Sequence, residues 1–148
     1  MMTMRPHALP PAQSGGPPAV PPQLICDATP ESVRSVRRYV REAVAYQEPG
    51  VTADALDTLV LLASELATNA VRYGTEPGDS IRVVVDAGPG RCRIEAHDTS
   101  RRRPQVRPVS DERSRGRGLH LVELMAESWG AADREFGKIV WAVVTWTR

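Results

Sequence analysis

Val33, Val36, Val40 and Val44 fall three and four positions apart, the spacing of one face of an amphipathic helix that continues to about Tyr46. Thr29-Pro30-Glu31 precedes it, with Thr29 and Ser32 as capping hydroxyls and proline in the first turn. Pro49-Gly50 breaks the pattern. A second helix is predicted from Thr52-Ala53-Asp54 to about Tyr73, stopped by Gly74 where a left-handed cap is usual. Leu24-Ile25-Cys26 reads as a short strand. Ile81-Arg82-Val83-Val84-Val85 is a β-branched run, Gly88-Pro89-Gly90 is a turn, and Cys92, Ile94 and Ala96 then alternate with Arg91, Arg93, Glu95 and His97. That is a β-hairpin.

From Asp98 to Arg115 the chain is polar and rich in arginine, with prolines at 104 and 108. A structureless loop of that length in a compact domain is usually functional or disordered. A third helix is predicted from Gly116 to about Ser128, with Leu119, Val122 and Met125 on one face and Leu121 and Leu124 beside it. Trp129-Gly130 leads into a strand, Gly137 makes a turn, and Ile139 to Thr147 forms a long apolar final strand. The order β-α-α-β-β-loop-α-β-β groups the helices and puts the strands in hairpins. This is an α+β fold, a two-layer sandwich with helices on one face of a mainly antiparallel mixed sheet.

Composition adds boundaries. The chain has 148 residues, the length of one domain. Residues 1–22 hold prolines at 6, 10, 11, 17, 18, 21 and 22 and no apolar period, so they read as a disordered tail ahead of a folded domain over 23–148. The formal charge of +1 gives no global field toward nucleic acid or a membrane. Lys138 is the only lysine, so every other basic residue is arginine. Codon bias accounts for this; the functional alternative is arginine's two-pronged grip on phosphate and carboxylate. Cys26 and Cys92 lack zinc-site spacing, and His7, His97 and His120 are scattered. With no run of about 18 apolar residues and no secretory h-region, the expected location is the cytoplasm.

Three places carry candidate chemistry. Glu65 and Asn69 lie four apart and share a helix face with Thr68 and Arg72, opposite the apolar arc of Leu56, Leu59, Ala63, Leu66, Ala67 and Ala70. A carboxamide oxygen suits Mg²⁺, which favours hard oxygen donors and substrate phosphates. A carboxylate beside it can orient or deprotonate a water or hydroxyl. An ordinary solvated helix face would look the same. Asp98 ends a strand, where its carboxylate could accept from the exocyclic amine of adenine, or simply start a turn. Ser114-Arg115-Gly116-Arg117-Gly118-Leu119 opens the third helix. Its glycines admit a close ligand, and a helix N-terminus favours phosphate.

Taken in order, these features resemble the ATP-binding fold shared by gyrase-type ATPases, histidine kinases and mismatch-repair ATPases. The chain is most similar to the small stand-alone bacterial anti-sigma factor serine kinases. Glu65-Leu-Ala-Thr-Asn69-Ala-Val-Arg-Tyr-Gly74 looks like the first box of that family, and Gly116-Arg-Gly118-Leu-His-Leu-Val like its last glycine box. Trp129-Gly130 and Gly137-Lys-Ile-Val-Trp141 look like its closing hairpin. The resemblance covers about Gln23 to Thr147. It implies that Asn69 binds Mg²⁺, Glu65 is the base, Asp98 reads adenine, and Gly116 and Gly118 touch phosphates. Ser100, Arg115, Arg117 and Leu119 complete the implied nucleotide-binding set, and residues 99–115 would be the ATP lid.

The chain departs from the family in its middle box. Asp98 is followed by Thr99, Ser100, Arg101 and Arg102, where the family has Asp-x-Gly-x-Gly, and His120 stands where many members have a third glycine. Two functions follow. One is an ATP-dependent kinase that phosphorylates a serine on a small antagonist protein and switches between it and a sigma factor, with a homodimer in keeping with the family. The other is a module of the same fold, weak or inactive in catalysis, that regulates a partner by contact. A third, nucleic-acid binding through Arg101-Arg102-Arg103, is disfavoured by the near-neutral charge and the few aromatic residues.

Overall fold

The computed structural model describes residues 23–99 and 112–147, with no side chains described for 112–118. The expected disordered tail over 1–22 and most of the expected lid lie outside these residues. Eight elements follow in order: β1 (Gln23–Asp27), α1 (Ser32–Gln47), α2 (Ala53–Tyr73), β2 (Ser80–Gly88), β3 (Arg91–Asp98), α3 (Glu112–Met125), β4 (Ser128–Arg134) and β5 (Gly137–Thr145). The strands form a single five-stranded sheet in the order β1-β2-β3-β5-β4. All four pairings are antiparallel, so the sheet contains no parallel pair among the described residues. The α+β sandwich expected from the pattern is the fold observed.

Alternation along the strands explains the layering. Ile81, Val83 and Val85 of β2, Cys92, Ile94 and Ala96 of β3, and Ala142 and Val144 of β5 all point to one face and are buried. Helices cover that face. From α1 come Val33, Val36, Tyr39, Val40, Ala43 and Val44. From α2 come Leu59, Leu62, Ala63, Leu66, Ala67 and Ala70. Removing each of these larger aliphatic chains from water contributes about 1.5–3 kcal/mol. The third helix contributes Val122, fully buried, while Leu124 remains exposed.

Local chemistry sets the helix ends. Thr29 Oγ1 accepts from the Ser32 N–H at 3.3 Å in the turn leading into α1, while the N-cap itself is Glu31, which makes no side-chain cap hydrogen bond. Thr52 Oγ1 accepts from the Ala55 N–H at 3.2 Å and caps α2, a bond whose loss typically costs about 1 kcal/mol. The Gln47 amide then joins α1 to the sheet. Its nitrogen donates to the Val85 carbonyl at 3.0 Å and its oxygen accepts from the Ala87 N–H at 2.8 Å.

Several boundaries differ from the pattern reading. Helix α3 begins at Glu112, four residues ahead of Gly116, and ends at Met125. Arginine and glutamate are good helix formers, and an acidic first residue suits the positive end of the helix. These preferences carry the helix back through two glycines that each cost about 0.5–1 kcal/mol. Ser128 belongs to β4 rather than to the helix, and β5 ends at Thr145. Gly74 caps α2 with φ −110°, not in the left-handed region. Its glycine has a different reason.

Candidate functional site

Helix α2 presents Glu65 and Asn69 on one exposed-to-half-buried stripe, its apolar arc being spent on the core. Gly74 lies five residues beyond Asn69, about 7.5 Å along the helix axis. At Gly74 the helix end meets β3. A β-carbon there would collide with the carboxylate of Asp98 and come within 2.8 Å of its Cβ. Gly137, at the start of β5 with φ +148°, approaches from the other side. A β-carbon there would run into the Asp98 carbonyl and pass 3.1 Å from the Thr99 Cα. Two glycines, 63 positions apart in sequence, thus leave the space that Asp98 fills.

Asp98 is 1% exposed. Its Oδ2 lies 2.9 Å from Nζ of Lys138, the residue directly across the β3–β5 ladder and itself 8% exposed. A buried carboxylate needs a partner of this sort, because an isolated charge in the interior is very costly. Sequence reasoning placed Asp98 in the site but passed over Lys138. The available signal was its position: a lone lysine opening an otherwise apolar strand.

The remaining expected site residues fall on α3 or outside the described residues. Gly116, Arg117, Gly118 and Leu119 make up the second turn of α3, and Arg115 closes its first. The glycine box therefore does not open the helix, and the unpaired N–H groups of the helix start lie in the turn beginning at Glu112. Leu119 is half-buried. Ser100 lies outside the described residues. Helix α3 packs against α2, so the expected first and last boxes are carried on neighbouring helices, with Asp98 at the end of α2.

A surface cleft of about 440 Å³ lies between α1 and α2. Its polar lining is Arg34, Arg37, Thr68 and Arg72 with one acidic residue, Glu31. At about 100° per residue, Thr68 and Arg72 lie on one side of Glu65 and Asn69 on the other. Glu65 therefore lies between the cleft-lining side of α2 and Asn69.

The face of the sheet without helices carries a second polar arrangement next to Asp98. His97 is 6% exposed although its side chain points away from the core. Its Nδ1 lies 3.3 Å from an Arg82 nitrogen and 3.2 Å from an Arg134 nitrogen. Guanidinium groups only donate, so Nδ1 accepts and Nε2 carries the proton. That proton is donated to Glu95 Oε1 at 2.8 Å. Glu95 also accepts from Arg93 Nε at 3.0 Å. The His97 hydrogen bond and the Arg93 charge hold the Glu95 carboxyl below its ordinary value against the opposing effect of burial. Arg93 in turn lies over the Trp141 ring, 4.6 Å from its centre.

Among the described residues no three His, Cys, Asp or Glu side chains gather in a metal-binding cluster. A cation at this site would depend on the Asn69 oxygen together with oxygens of a ligand, which is the habit of Mg²⁺ with phosphates. The donor set fits a nucleotide in the same way. A buried carboxylate stands at one end, and an amide oxygen and a carboxylate stand on the adjoining helix face. No helix among the described residues is long and apolar enough to cross a membrane.

The sequence profile of the histidine kinase-like ATPase domain family matches residues 26–144. No curated protein matches the chain. Among solved structures, the histidine kinase domain of the blue-light activated histidine kinase of Erythrobacter litoralis EL346 is similar at 21% identity and a TM-score of 0.49. The match covers 64% of this chain and 46% of that one, so the chain spans less than half the length of the structure it resembles. With four fifths of its residues inside the family profile, the chain belongs to the histidine kinase-like ATPase domain family.

Proposed function

We propose that this domain binds ATP with Mg²⁺ on the α2–α3 side and transfers the γ-phosphoryl group to a serine of a small antagonist protein. The observation that carries the reading is Asp98. Its buried carboxylate packs against Gly74 at the end of the same helix that displays Glu65 and Asn69, and its backbone carbonyl packs against Gly137. Asp98 accepts a hydrogen bond from the adenine amine. Asn69 supplies an oxygen ligand to the metal, which neutralises phosphate charge when bound. Gly116 and Gly118, which have no side chains, let phosphate oxygens approach the second turn of α3, and Arg115, Arg117, Leu119 and Ser100 are the other residues assigned to nucleotide binding.

Glu65 is the base. The serine hydroxyl attacks the γ-phosphorus, its proton passes to the Glu65 carboxylate, and the bond to the β-phosphate oxygen breaks to leave ADP. Phosphoryl transfer needs little beyond such positioning and charge neutralisation. The arginine-lined cleft beside Glu65 suits an acidic segment of the protein that brings the serine. Phosphorylation of the antagonist would then release this domain to hold a sigma factor, a partner switch acting in the cytoplasm.

The test is calorimetric titration of ATP with Mg²⁺ into the wild-type protein and into Asn69→Ala and Asp98→Asn variants. It is followed by phosphate transfer from labelled ATP to serine in a candidate antagonist. Binding that both variants abolish, with transfer that Glu65→Gln removes, supports the reading. Nucleotide binding without transfer supports instead a regulator that acts by contact. A folded protein that shows no heat and no stabilisation at millimolar ATP sinks the nucleotide site itself.

A further inference from the structure

The Lys138 ammonium has more hydrogen-bonding capacity than one contact uses, because an ammonium group has three N–H donors. Among the described residues, it pairs with Asp98. The lysine side chain is 10% exposed, so water has little access to the two remaining donors. Buried donors left unmatched are costly, and the cost is greater for a charged group. A ligand acceptor that meets them would be bound with corresponding strength.

The geometry of the pair fits one kind of acceptor. Oδ2 of Asp98 and Nζ of Lys138, 2.9 Å apart, set a hydrogen-bond acceptor beside a donor on neighbouring strands. Adenine offers the complement along either side of its amine: N6–H₂ is a donor, and a ring nitrogen next to it, N1 or N7, is an acceptor. We propose that Lys138 is a specificity-determining residue that donates a hydrogen bond to an adenine ring nitrogen while Asp98 accepts from the amine. This deepens the nucleotide-binding reading above and rests on it. Recognition of the base would then be shared by two side chains rather than assigned to the carboxylate alone. Swapping the base for one without an acceptor beside the amine would leave the remaining N–H donors of the ammonium unmet.

The test uses base analogues that lack one ring nitrogen. Affinities of the full-length protein are measured by calorimetry for ATP, 1-deaza-ATP and 7-deaza-ATP. One of the two analogues is expected to bind about tenfold or more weaker than ATP, in keeping with the loss of one bond to a charged donor. Lys138→Met should bind ATP more weakly and should no longer distinguish that analogue from ATP. Because Lys138→Met leaves a buried carboxylate without its counterion, Lys138→Arg serves as the charge-matched variant: it keeps the ion pair but changes where the donors lie, and its discrimination should also be reduced. Equal affinity of the wild-type protein for all three nucleotides overturns the inference whether or not the variants fold. Discrimination that survives undiminished in a folded lysine variant overturns it as well. Absence of ATP binding by the wild-type protein refutes the nucleotide-binding reading beneath it, a separate result.

Discussion

The backbone of Gly74 is packed against the carboxylate of Asp98, so that the last residue of the helix cap and the last residue of a central strand share one space. Neither can change size without the other moving.

Gly74→Ala is therefore expected to destabilise the protein by about 1–3 kcal/mol, the usual range for forcing carbon into a filled interior. The conformation at residue 74 tolerates alanine, so the cost comes from the collision and not from the backbone. Thermal denaturation should show a lower midpoint, and ATP affinity should fall with it because the carboxylate has to turn aside. An unchanged midpoint would mean that Asp98 has room to relocate.

Leu59 is fully buried where α2 meets the rest of the core. Leu59→Ala should cost about 2–5 kcal/mol through lost burial and the cavity left behind. Urea unfolding measures this directly. A loss under about 1 kcal/mol would indicate a core that collapses around the smaller side chain.

Stability should depend on pH through Glu95. Its carboxyl is held below the ordinary value of 4.5, first by the His97 hydrogen bond and further by Arg93. A depressed carboxylate contributes stability that is fully present above its unfolded value and is lost as pH falls through its folded value. Wild-type protein should therefore exceed Glu95→Gln in stability at neutral pH. The difference should shrink as pH drops below about 4.5. Urea midpoints for both proteins from pH 7 down to pH 3 provide the check, and a constant difference would contradict the assignment.

The cysteines should differ in reactivity. Burial pushes the Cys92 thiol up to about 12, with Asp86 adding to the shift. Burial also raises the half-exposed Cys26 thiol, and Asp27 adds to that. Since the thiolate is the reactive form, iodoacetamide at pH 8 should modify Cys26 slowly and leave Cys92 untouched until denaturant is added. Mass spectrometry of the alkylated peptides distinguishes the two. Early modification of Cys92 would mean that β3 opens readily.

Much of the fold is legible from short-range pattern. The valines of α1 and the alternation of Cys92, Ile94 and Ala96 point to their elements because each position repeats the same inside–outside choice. The Thr52 cap and the Thr29–Ser32 turn are legible because both involve neighbours in sequence. The start of α3 is not, since the glycines that suggest a boundary are outweighed by the helix formers before them. His97 is another such case. Alternation sends it to the outer face, yet Arg82 from β2 and Arg134 from β4 close over it.

The sequence by itself determined the periodicities, the order of elements and the spacing of Glu65 and Asn69, because these depend on residues a turn or a strand apart. Only the tertiary structure decided that Gly74 and Gly137 converge on Asp98, that Lys138 neutralises it, and that the strand pairings among the described residues are all antiparallel. Those relations join residues about 24 to 63 positions apart, and no local preference encodes which strand will lie beside β3. The reason is energetic: a carboxylate selects its counterion only after folding has removed the water that would otherwise satisfy it.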